Sequence, residues 1–507
     1  MSFNFAVTLR ERRLSHPEAP LCHLGESTFT YEQVDESSGR VAAALRDLGL
    51  ERGDRVAVQL PNLPHFLSSY FAILKAGLVM VPLNPLLKAQ EVGYHLRDSG
   101  ARLLITFEAC AAEAVKGAAE AGGVPTFMVT LPGSRAQIEG VRSFDELYAA
   151  HDDGEIEPTA ADDTALLLYT SGTTGRPKGA ELTHFQLYMG CTITGEIFGY
   201  RQDDVMLGVL PLFHVFGLSS VLNVSLRYGG SVALVPRFAT EAVLDAFETH
   251  QCTVFAGVPT MFSALLHADT GERDLSSFRV GVSGGAAMPE EMLRAFEAKF
   301  SGVPILEGYG LSETAGIVSF NTGAESRKVL SVGTPIWGVD VRILGPEGNA
   351  LPAGEHQVGE IAVRGHNVMK GYFGRPEETA QTLRDGWLST GDLGYRDLDG
   401  YLFVVDRKKD LVIRGGYNVY PREVEEILHA HSAVAEAAVI GRPDERLGEE
   451  VVAVVSLHPG AVATSEELIE YCRQQLAAYK YPREIRIVES LPKGPTGKIL
   501  KTELRSA

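Results

Sequence analysis

The chain has 507 residues, of which 45% are hydrophobic and 22% charged, and its formal net charge is −19. At roughly 100–200 residues per domain, this length predicts two to four structural units, and the composition excludes a disordered, collagen-like or coiled-coil protein. So acidic a chain lacks the basic surface that nucleic acid or an anionic bilayer requires, so we expect neither as a partner.

The N-terminus and the cysteines predict a cytoplasmic protein. In MSFNFAVTLRERR the charges follow a short apolar patch, so we expect no signal peptide. The most apolar stretches, such as residues 71–83, are shorter than the ~20 residues of a membrane span, so we expect no integral membrane segment. The five cysteines are scattered without CxxC spacing, which favours free thiols over disulfides or a zinc site.

Predicted strands alternate with predicted helices up to about residue 335. Helical apolar spacing predicts helices over 31–48, 65–76 and 241–250. Short apolar runs rich in β-formers predict strands at 54–60, 102–107, 127–131, 165–169, 232–235 and 279–283. Such alternation is typical of βαβ units around buried sheets, so the predicted fold class is α/β.

The sequence changes character after residue 335. From about 336 to 405, short strands and turn sequences such as Pro-Glu-Gly (346–348) predict a β-rich subdomain within an N-terminal domain that spans 1–405. The charged run DRKKD at 406–410 predicts a hinge linker. The remaining residues, 411–507, predict a small, mobile α+β C-terminal lid domain.

The first segment that indicates chemistry is YTSGTTGRPKG at 169–179, directly after a predicted strand and before a helix predicted from Thr183. Glycine allows close backbone approach, consecutive N–H groups can surround an anion, hydroxyls add donors, and Lys178 adds a positive charge. The segment therefore predicts a phosphate-binding loop. It is not a Walker A loop, because nothing in it reads GxxxxGK[ST].

This loop resembles the signature of the adenylate-forming superfamily, which contains acyl-CoA synthetases, the adenylation domains of peptide synthetases and luciferases. The resemblance covers about residues 25–505, with the family's motifs in the family's order. It implies that Thr170 also binds Mg²⁺. The loop residues that it implies for ATP binding are Thr170, Ser171, Gly172, Thr173, Thr174, Gly175 and Lys178.

Two further segments complete the implied nucleotide site. In EGYGLSET (307–314) the resemblance places Tyr309 against adenine, Ser312 on phosphate and Glu313 on Mg²⁺. SGGAA (283–287) resembles the loop that lines adenine, although alone it would equally be a strand-to-helix turn. The other ATP-site residues implied by these segments are Gly284, Gly285, Ala286, Glu307, Gly308 and Gly310.

The resemblance assigns Asp392, in STGD (389–392), and Arg407 to the ribose hydroxyls. An isolated Asp in a turn is usually a cap or turn former, so this assignment depends on the order of the motifs. The same holds for Lys498 in PKGPTGKILK (492–501), the implied catalytic lysine, which alone would be one exposed lysine among several.

These groups suit a difficult reaction between anions. A carboxylate must attack the α-phosphorus of ATP, and the two negative charges repel each other. Glu313 with Mg²⁺, Lys178 and Lys498 would offset that repulsion and the charge that builds on pyrophosphate, so Lys498 and Glu313 are the implied catalytic residues. The product would be an acyl-AMP.

The resemblance also implies that the C-terminal domain rotates between two half-reactions. Its hinge lies second after the ribose-site Arg, at Lys409, and the rotation would exchange Lys498 for a CoA-binding segment with Gly415, Gly416 and Tyr417. Glycines would give the pantetheine arm room, although the pair would equally form a hairpin turn. Plant-type aryl-CoA ligases carry a second lysine at the position of Ile413, and any role for it is absent here.

The stretch LPLFHVFG (210–217) bears on which acid is bound. Peptide-synthetase domains place an Asp here for the substrate's amino group, and malonate-type synthetases place an Arg at the position of Gly308; this chain has neither, which disfavours amino acids and dicarboxylates. His214 is a third candidate catalytic residue, although a packed structural imidazole would also explain it. The predicted acyl pocket consists of His214, Val215, Phe216, Val258 and Ile317.

Together the motifs predict an acyl-CoA ligase that uses ATP, Mg²⁺ and CoA to activate a hydrophobic monocarboxylic acid, fatty or aryl. Transfer to a carrier-protein phosphopantetheine arm or another nucleophile stays open, because Gly415 and Gly416 suit both acceptors. A catalytically silent homologue is disfavoured because Lys178, Glu313 and Lys498 are all present. The predicted partners are small molecules, and a homodimer is left open.

Overall fold

A computed structural model describes residues 3–134, 136–170, 176–444, 446–494 and 497–506. Five residues of the predicted phosphate loop, Ser171, Gly172, Thr173, Thr174 and Gly175, lie outside the described residues. Within the described ranges, no helix combines the length and the apolar character that crossing a bilayer would require.

The elements alternate in the order that the apolar pattern predicts. The first group is α1 (Val7–Ser15), β1 (Pro20–Leu24), β2 (Ser27–Thr30), α2 (Tyr31–Asp47), β3 (Arg55–Gln59), α3 (Pro64–Lys75), β4 (Val79–Pro82), α4 (Ala89–Ser99), β5 (Leu103–Phe107), α5 (Ala111–Glu120), β6 (Thr126–Val129), β7 (Arg142–Ser143), α6 (Asp145–Tyr148), β8 (Thr164–Thr170) and β9 (Lys178–Thr183). Strand β9 was not predicted, because its residues KGAELT lack a clear apolar pattern.

The second group continues the alternation. It contains α7 (His184–Ile197), β10 (Val205–Gly208), α8 (Val215–Gly217), a π-helix (Leu218–Asn223), α9 (Val224–Tyr228), β11 (Ser231–Leu234), α10 (Thr240–His250), β12 (Val254–Gly257), α11 (Pro259–His267), β13 (Val280–Ser283), α12 (Glu290–Lys299), β14 (Ile305–Tyr309), a 3₁₀ helix (Ser312–Thr314), β15 (Ser319–Phe320) and β16 (Thr334–Pro335). Local signals explain several starts: Thr183 and Gln186 form a capping box before α7, and Pro259 occupies the first turn of α11.

The third group is mostly strands. It contains β17 (Val339–Leu344), β18 (Gly359–Gly365), α13 (Pro376–Thr382), β19 (Leu383–Arg384), β20 (Trp387–Arg396), β21 (Leu402–Arg407), β22 (Val412–Arg414), β23 (Tyr417–Val419), α14 (Pro421–His429), β24 (Val434–Asp444), β25 (Gly448–Leu457), α15 (Ser465–Gln475), β26 (Glu484–Val488) and α16 (Lys501–Ser506). Strand β21 runs through Arg407, so the first two residues of the predicted linker belong to a strand.

Four sheets organise these elements. One has the order β7-β6-β5-β3-β4-β8-β9 and a second has the order β16-β15-β14-β13-β12-β10-β11-β1-β2, and most neighbours in both are parallel. The β-rich segment forms a sheet in the order β17-β18-β20-β19, with β21 paired to β20. The C-terminal part forms a sheet in the order β23-β22-β25-β24, with β26 paired to β25. The α/β fold class with a large N-terminal and a small C-terminal domain is confirmed, whereas the numerical domain boundaries stay predictions.

The hydrophobic cores follow this division. One large core joins side chains from Phe5 to Leu402, while the cluster around Val412, Val439 and Leu468 contains only residues of the C-terminal part. Because the C-terminal part has a core of its own, it can change position without unpacking the larger one.

Candidate active site

Most of the candidate residues lie where parallel strands end. Strands β12, β13 and β14 end at Gly257, Ser283 and Tyr309, and their carboxyl ends meet at the same edge of the nine-stranded sheet. Open α/β sheets bind ligands at this edge, because loops diverge there and leave a crevice.

Glu313 and Thr170 lie in contact although 143 residues separate them in the sequence. Thr170 ends strand β8 and its hydroxyl donates a 3.1 Å hydrogen bond to Glu313 Oε1. The hydroxyl of Tyr372 donates to the same oxygen over 3.0 Å. No donor among the described residues bonds the second carboxylate oxygen of Glu313. The structure therefore joins the two residues predicted to hold Mg²⁺ and adds a third that the sequence did not suggest.

Lys178 is held close to this cluster. It begins β9, pairs with Thr170 in the β8–β9 ladder, and is only 8% exposed. Its ammonium group lies over the Tyr372 ring, 5.3 Å from the ring centre. A buried cation needs compensation, and the electron-rich face of an aromatic ring supplies part of it.

The predicted ribose-site residues form one connected group. Asp392 and Arg407 are opposite each other in strands β20 and β21, with Arg407 Nε 3.3 Å from Asp392 Oδ1. The Tyr309 hydroxyl donates to Asp392 Oδ2 over 2.7 Å. Burial and the charge of Asp392 both raise the pKa of Tyr309, so the phenol stays a donor. A carboxylate held at both oxygens in this way is oriented as an acceptor for a diol.

Glu307 is buried at 5% exposure in strand β14. Its Oε1 accepts a 3.4 Å hydrogen bond from the Met288 backbone N–H. Burial raises the pKa of Glu307 to about 7, and the positive charge of Arg422 opposes that rise. Arg422 belongs to α14, so a charge of the C-terminal domain contributes to the pKa of this carboxyl group.

The loop after β13 consists of small residues, and one of them has a left-handed backbone conformation. Gly285 has φ +78°, a left-handed conformation that favours glycine, and Gly285 and Ala286 are exposed. A Cβ atom at Gly284 would lie 3.2 Å from the Phe216 ring, and one at Gly285 would lie 3.6 Å from Val258. The loop predicted to line adenine thus borders the predicted acyl pocket directly.

The other pocket residues are mostly buried. Val215, Val258 and Ile317 are 4%, 5% and 3% exposed, and Phe216 is half-buried. A Cβ atom at Gly316 would lie 3.2 Å from Val215, so the residue before Ile317 packs closely on that wall. The structure therefore brings the 215–216 pair against both glycine-containing loops.

His214 is neutral at physiological pH. Its Nδ1 accepts a 3.3 Å hydrogen bond from the Phe216 backbone N–H, which leaves the ring proton on Nε2. Packing of protein atoms around the ring, and to a lesser extent the charge of Lys498, lower the pKa of His214 to about 4. His214 is therefore a neutral hydrogen-bond donor near Lys498, and not a cation.

Lys498 lies close enough to Arg407, Asp392 and His214 for their charges to influence one another's pKa values or its own. Gly494 N–H donates to the Lys498 carbonyl over 2.7 Å and Gly497 N–H donates to the Gly494 carbonyl over 2.9 Å. The Thr260 hydroxyl, at the start of α11, donates to the Gly497 carbonyl over 3.3 Å and links Gly497, the residue before Lys498, to the N-terminal domain. Crowding by protein atoms and then the charge of Arg407 lower the pKa of Lys498 to about 8, while Asp392 and Asp410 oppose the shift.

The predicted hinge and CoA residues lie elsewhere. Lys409 is exposed in a turn in which the Asp410 and Leu411 backbone N–H groups both donate to the Arg407 carbonyl. Gly415 and Gly416 have φ +57° and +83° and connect β22 to β23 as a hairpin turn. Within the described part of the chain, no hydrogen bond or ring contact joins residues 415–417 to the nucleotide-site residues.

Tyr372 is the site residue that the sequence analysis missed. It lies in the run MKGYFGRPEE, which contains no recognisable catalytic pattern. Its contact with Glu313 spans 59 residues and depends on how the 370–373 segment crosses β9. No local sequence signal could have found it.

Comparison with known proteins shows the family of this chain. The AMP-binding enzyme model matches residues 9–373, and the model of the AMP-binding enzyme C-terminal domain matches residues 423–498. The chain therefore belongs to the AMP-binding enzyme family, the adenylate-forming superfamily. Its relatives place it in the CoA ligase branch.

Two of these relatives match the chain over most of both lengths. The feruloyl-CoA synthase of Amycolatopsis sp. is 41% identical over 98% of this chain and 97% of its own. The long-chain-fatty-acid–CoA ligase of Bacillus subtilis is 39% identical over 94% of this chain and 89% of its own.

Two solved structures of MatB from Rhodopseudomonas palustris differ in how well they superpose. Both are 34% identical and cover 100% of this chain and 99% of MatB. The ATP-bound structure has a TM-score of 0.91, and the apo structure has a TM-score of 0.79. The overall arrangement described here is therefore more similar to the ATP-bound form.

Proposed function

We propose that this protein is an AMP-forming acyl-CoA ligase that activates a hydrophobic monocarboxylic acid as an acyl-AMP and then transfers the acyl group to CoA. The activity class is that of its relatives. The observation that carries the site assignment is the position of Lys498, which the Gly497–Thr260 contact holds in the cleft with His214, Asp392 and Arg407.

Adenylation follows from these positions. Asp392 and Tyr309 would bind the ribose and the adenine ring, so that the α-phosphate lies between the Lys178 side and the Lys498 side of the cleft. The acid's carboxylate attacks the α-phosphorus, and the bond from that phosphorus to the bridging oxygen breaks to release pyrophosphate. The two lysines stabilise the growing negative charge. The neutral His214 can donate a hydrogen bond from Nε2–H to the carboxylate, which orients the carboxylate without forming an ion pair that would weaken it as a nucleophile.

The donor set beside Thr170 fits Mg²⁺. A carboxylate and a hydroxyl oxygen lie 3.1 Å apart at the end of β8, and hard oxygen ligands shared with phosphate oxygens are what this ion prefers. When bound there, Mg²⁺ would neutralise phosphate charge. We propose Glu313 and Thr170 as its protein ligands.

The second half-reaction uses the other face of the C-terminal domain. Rotation about Lys409 would remove Lys498 and bring the Gly415–Gly416 hairpin to the acyl-AMP. The CoA thiolate then attacks the acyl carbon, a thioester bond forms, and AMP leaves. We further propose a cytoplasmic enzyme, with a homodimer as an open question.

The pocket favours an apolar acid. Val215, Phe216, Val258 and Ile317 carry no charge, and the neighbouring His214 is neutral, so a second carboxylate or an ammonium group on the substrate would lose its hydration without a partner. The relatives named for feruloyl and long-chain fatty acyl substrates support the same class.

A screen of carboxylic acids tests the proposal. Purified protein with MgATP is incubated with fatty, aryl, amino and dicarboxylic acids, and pyrophosphate release is measured with CoA, with a phosphopantetheinylated carrier protein, and with neither. We expect release with fatty or aryl acids and thioester formation with CoA. Thioester formation only on the carrier would favour the alternative acceptor, and no release with any acid would contradict the proposal.

A further inference from the structure

We propose that Tyr372 is a positioning residue for adenylation: its hydroxyl orients the Glu313 carboxylate and its ring holds the Lys178 ammonium group. This inference rests on the proposed function and adds to it a residue outside the sequence motifs that define the site. It begins from the convergence of three segments, at Thr170, Glu313 and Tyr372, on one carboxylate oxygen.

The hydroxyl contact restricts Glu313 in a specific way. Thr170 and Tyr372 both donate to Oε1, over 3.1 and 3.0 Å, so that oxygen is held from two directions. Glu313 follows β14 in a single 3₁₀ turn, and a carboxylate on so short an element has little backbone support of its own. Hydrogen bonds to a charged acceptor are stronger than neutral ones and therefore fix its orientation.

The Tyr372 hydroxyl is the donor in its contact with Glu313 Oε1. The ring of the same residue lies under the Lys178 ammonium group, so the hydroxyl and the ring of one side chain contact groups of opposite charge. The phenol is thus aimed at Glu313.

The backbone around Tyr372 is well anchored. Its N–H donates to Thr379 Oγ1 over 2.9 Å, and the residue pairs with Ala180 of β9. On either side, the Glu181 N–H donates to the Gly371 carbonyl over 3.0 Å and the Phe373 N–H donates to the Gly179 carbonyl over 2.8 Å. A side chain on such a strand-like segment holds its position better than one on a free loop.

The ring of Tyr372 contacts Lys178, the lysine of the predicted phosphate-binding loop. Lys178 also begins β9, and its ammonium lies 5.3 Å from the centre of the Tyr372 ring. A cation held over a ring face keeps its charge while losing side-chain freedom. One tyrosine therefore sets the relative positions of the Glu313 carboxylate and the Lys178 ammonium group, which would both face the triphosphate.

The test separates the hydroxyl from the ring. Tyr372→Phe removes the bond to Glu313 and keeps the ring under Lys178. We expect MgATP affinity, measured by calorimetry, to fall about tenfold, with ATP affinity in EDTA unchanged. Where an acid substrate is available, kcat for pyrophosphate release should fall by a similar factor while the KM for the acid stays the same.

A matched control uses a tyrosine far from the site. The Tyr228 hydroxyl donates to the Thr192 carbonyl over 2.7 Å, so Tyr228→Phe loses one comparable hydrogen bond. It should leave both ATP affinities unchanged. In a Glu313→Gln background, Tyr372→Phe should add little further loss, because its effect passes through that carboxylate.

The outcomes are distinct. The proposal is overturned if Mg²⁺ strengthens ATP binding by the same factor in Tyr372→Phe as in the unmodified protein. It is also overturned if the substitution weakens ATP binding equally with and without Mg²⁺. Additive losses in the Glu313→Gln background overturn it too. Calorimetry needs no acid substrate, so its result is independent of the acid screen. The role of Tyr372 can therefore be contradicted while the proposed function holds, and the proposed function can be contradicted while the role of Tyr372 holds.

Discussion

The pKa of Lys498 lies close to physiological pH, so the charge of its ammonium group depends on pH. Lys498 is exposed at its position, but neighbouring protein atoms displace part of the water around its ammonium group and Arg407 adds like-charge repulsion, which together lower its pKa to about 8. The lysine is charged below this pKa and neutral above it. In the proposed mechanism adenylation uses the charged form, because the ammonium group would stabilise phosphate charge.

The pH profile of adenylation should therefore fall on its alkaline side. We expect kcat/KM for pyrophosphate release to decline as pH rises through about 8, since kcat/KM reports the ionisation of the free enzyme. Thioester formation from supplied acyl-AMP should not show this decline. Lys498→Ala should lower pyrophosphate release by about 10²–10³-fold and spare the second half-reaction. Parallel loss of both half-reactions would contradict the assignment.

Among the elements, the start of α11 holds the residue that precedes Lys498, through the hydrogen bond from Thr260 to the Gly497 carbonyl. Gly497 has φ +77°, and a Cβ atom there would lie 2.8 Å from Thr260 Oγ1 and 3.1 Å from Val258. Position 497 thus needs a glycine both for its backbone and for its fit against the start of α11.

Gly497→Ala should selectively impair adenylation. We expect pyrophosphate release to fall at least tenfold, because the methyl group prevents docking on Thr260, while thioester formation from acyl-AMP changes much less. Gly460→Ala is the matched control, since Gly460 has φ +79° in the same domain and a Cβ there meets nothing within 4 Å. Equal effects of the two substitutions would mean that backbone strain alone is responsible.

At the scale of the whole molecule, two parts with separate hydrophobic cores meet at a short turn. The C-terminal part has its own core, and the turn before it carries the exposed Lys409. The superposition scores of 0.91 on ATP-bound MatB and 0.79 on apo MatB show that the present arrangement is more similar to the ATP-bound structure of that protein. In this arrangement the charge of Lys498 acts on Asp392, Arg407 and His214, whereas no hydrogen bond among the described residues joins the Gly415–Gly416 hairpin to those residues.

Replacing Lys409 with proline should separate the two half-reactions in the opposite sense. Proline clamps φ and hinders the backbone rotation that a hinge must absorb, so we expect thioester formation to slow at least tenfold while pyrophosphate release persists. Lys409→Ala keeps the rotation free and should leave both steps unchanged. Normal overall turnover in Lys409→Pro would contradict the hinge assignment.

Much of this protein could be predicted from local sequence. Strands β3, β5, β8 and β13 and helices α2, α3 and α10 lie within one or two residues of their predicted limits, because their apolar periodicity matches the face that the fold buries. The hairpin turn at Gly415–Gly416 was also foreseen as an alternative, since two residues with positive φ favour glycine. The family's motifs then indicated which residues we propose for the chemistry.

Only the tertiary structure decided which of these residues touch. Strand β9 exists because β8 and the 370–373 segment pair with it, although its own residues have no strand pattern. The contacts of Tyr372 with Glu313 and of Thr260 with Gly497 join positions 59 and 237 residues apart. Local periodicity records which face of an element is buried, but not which distant side chain lies against it; that depends on how whole sheets and domains pack.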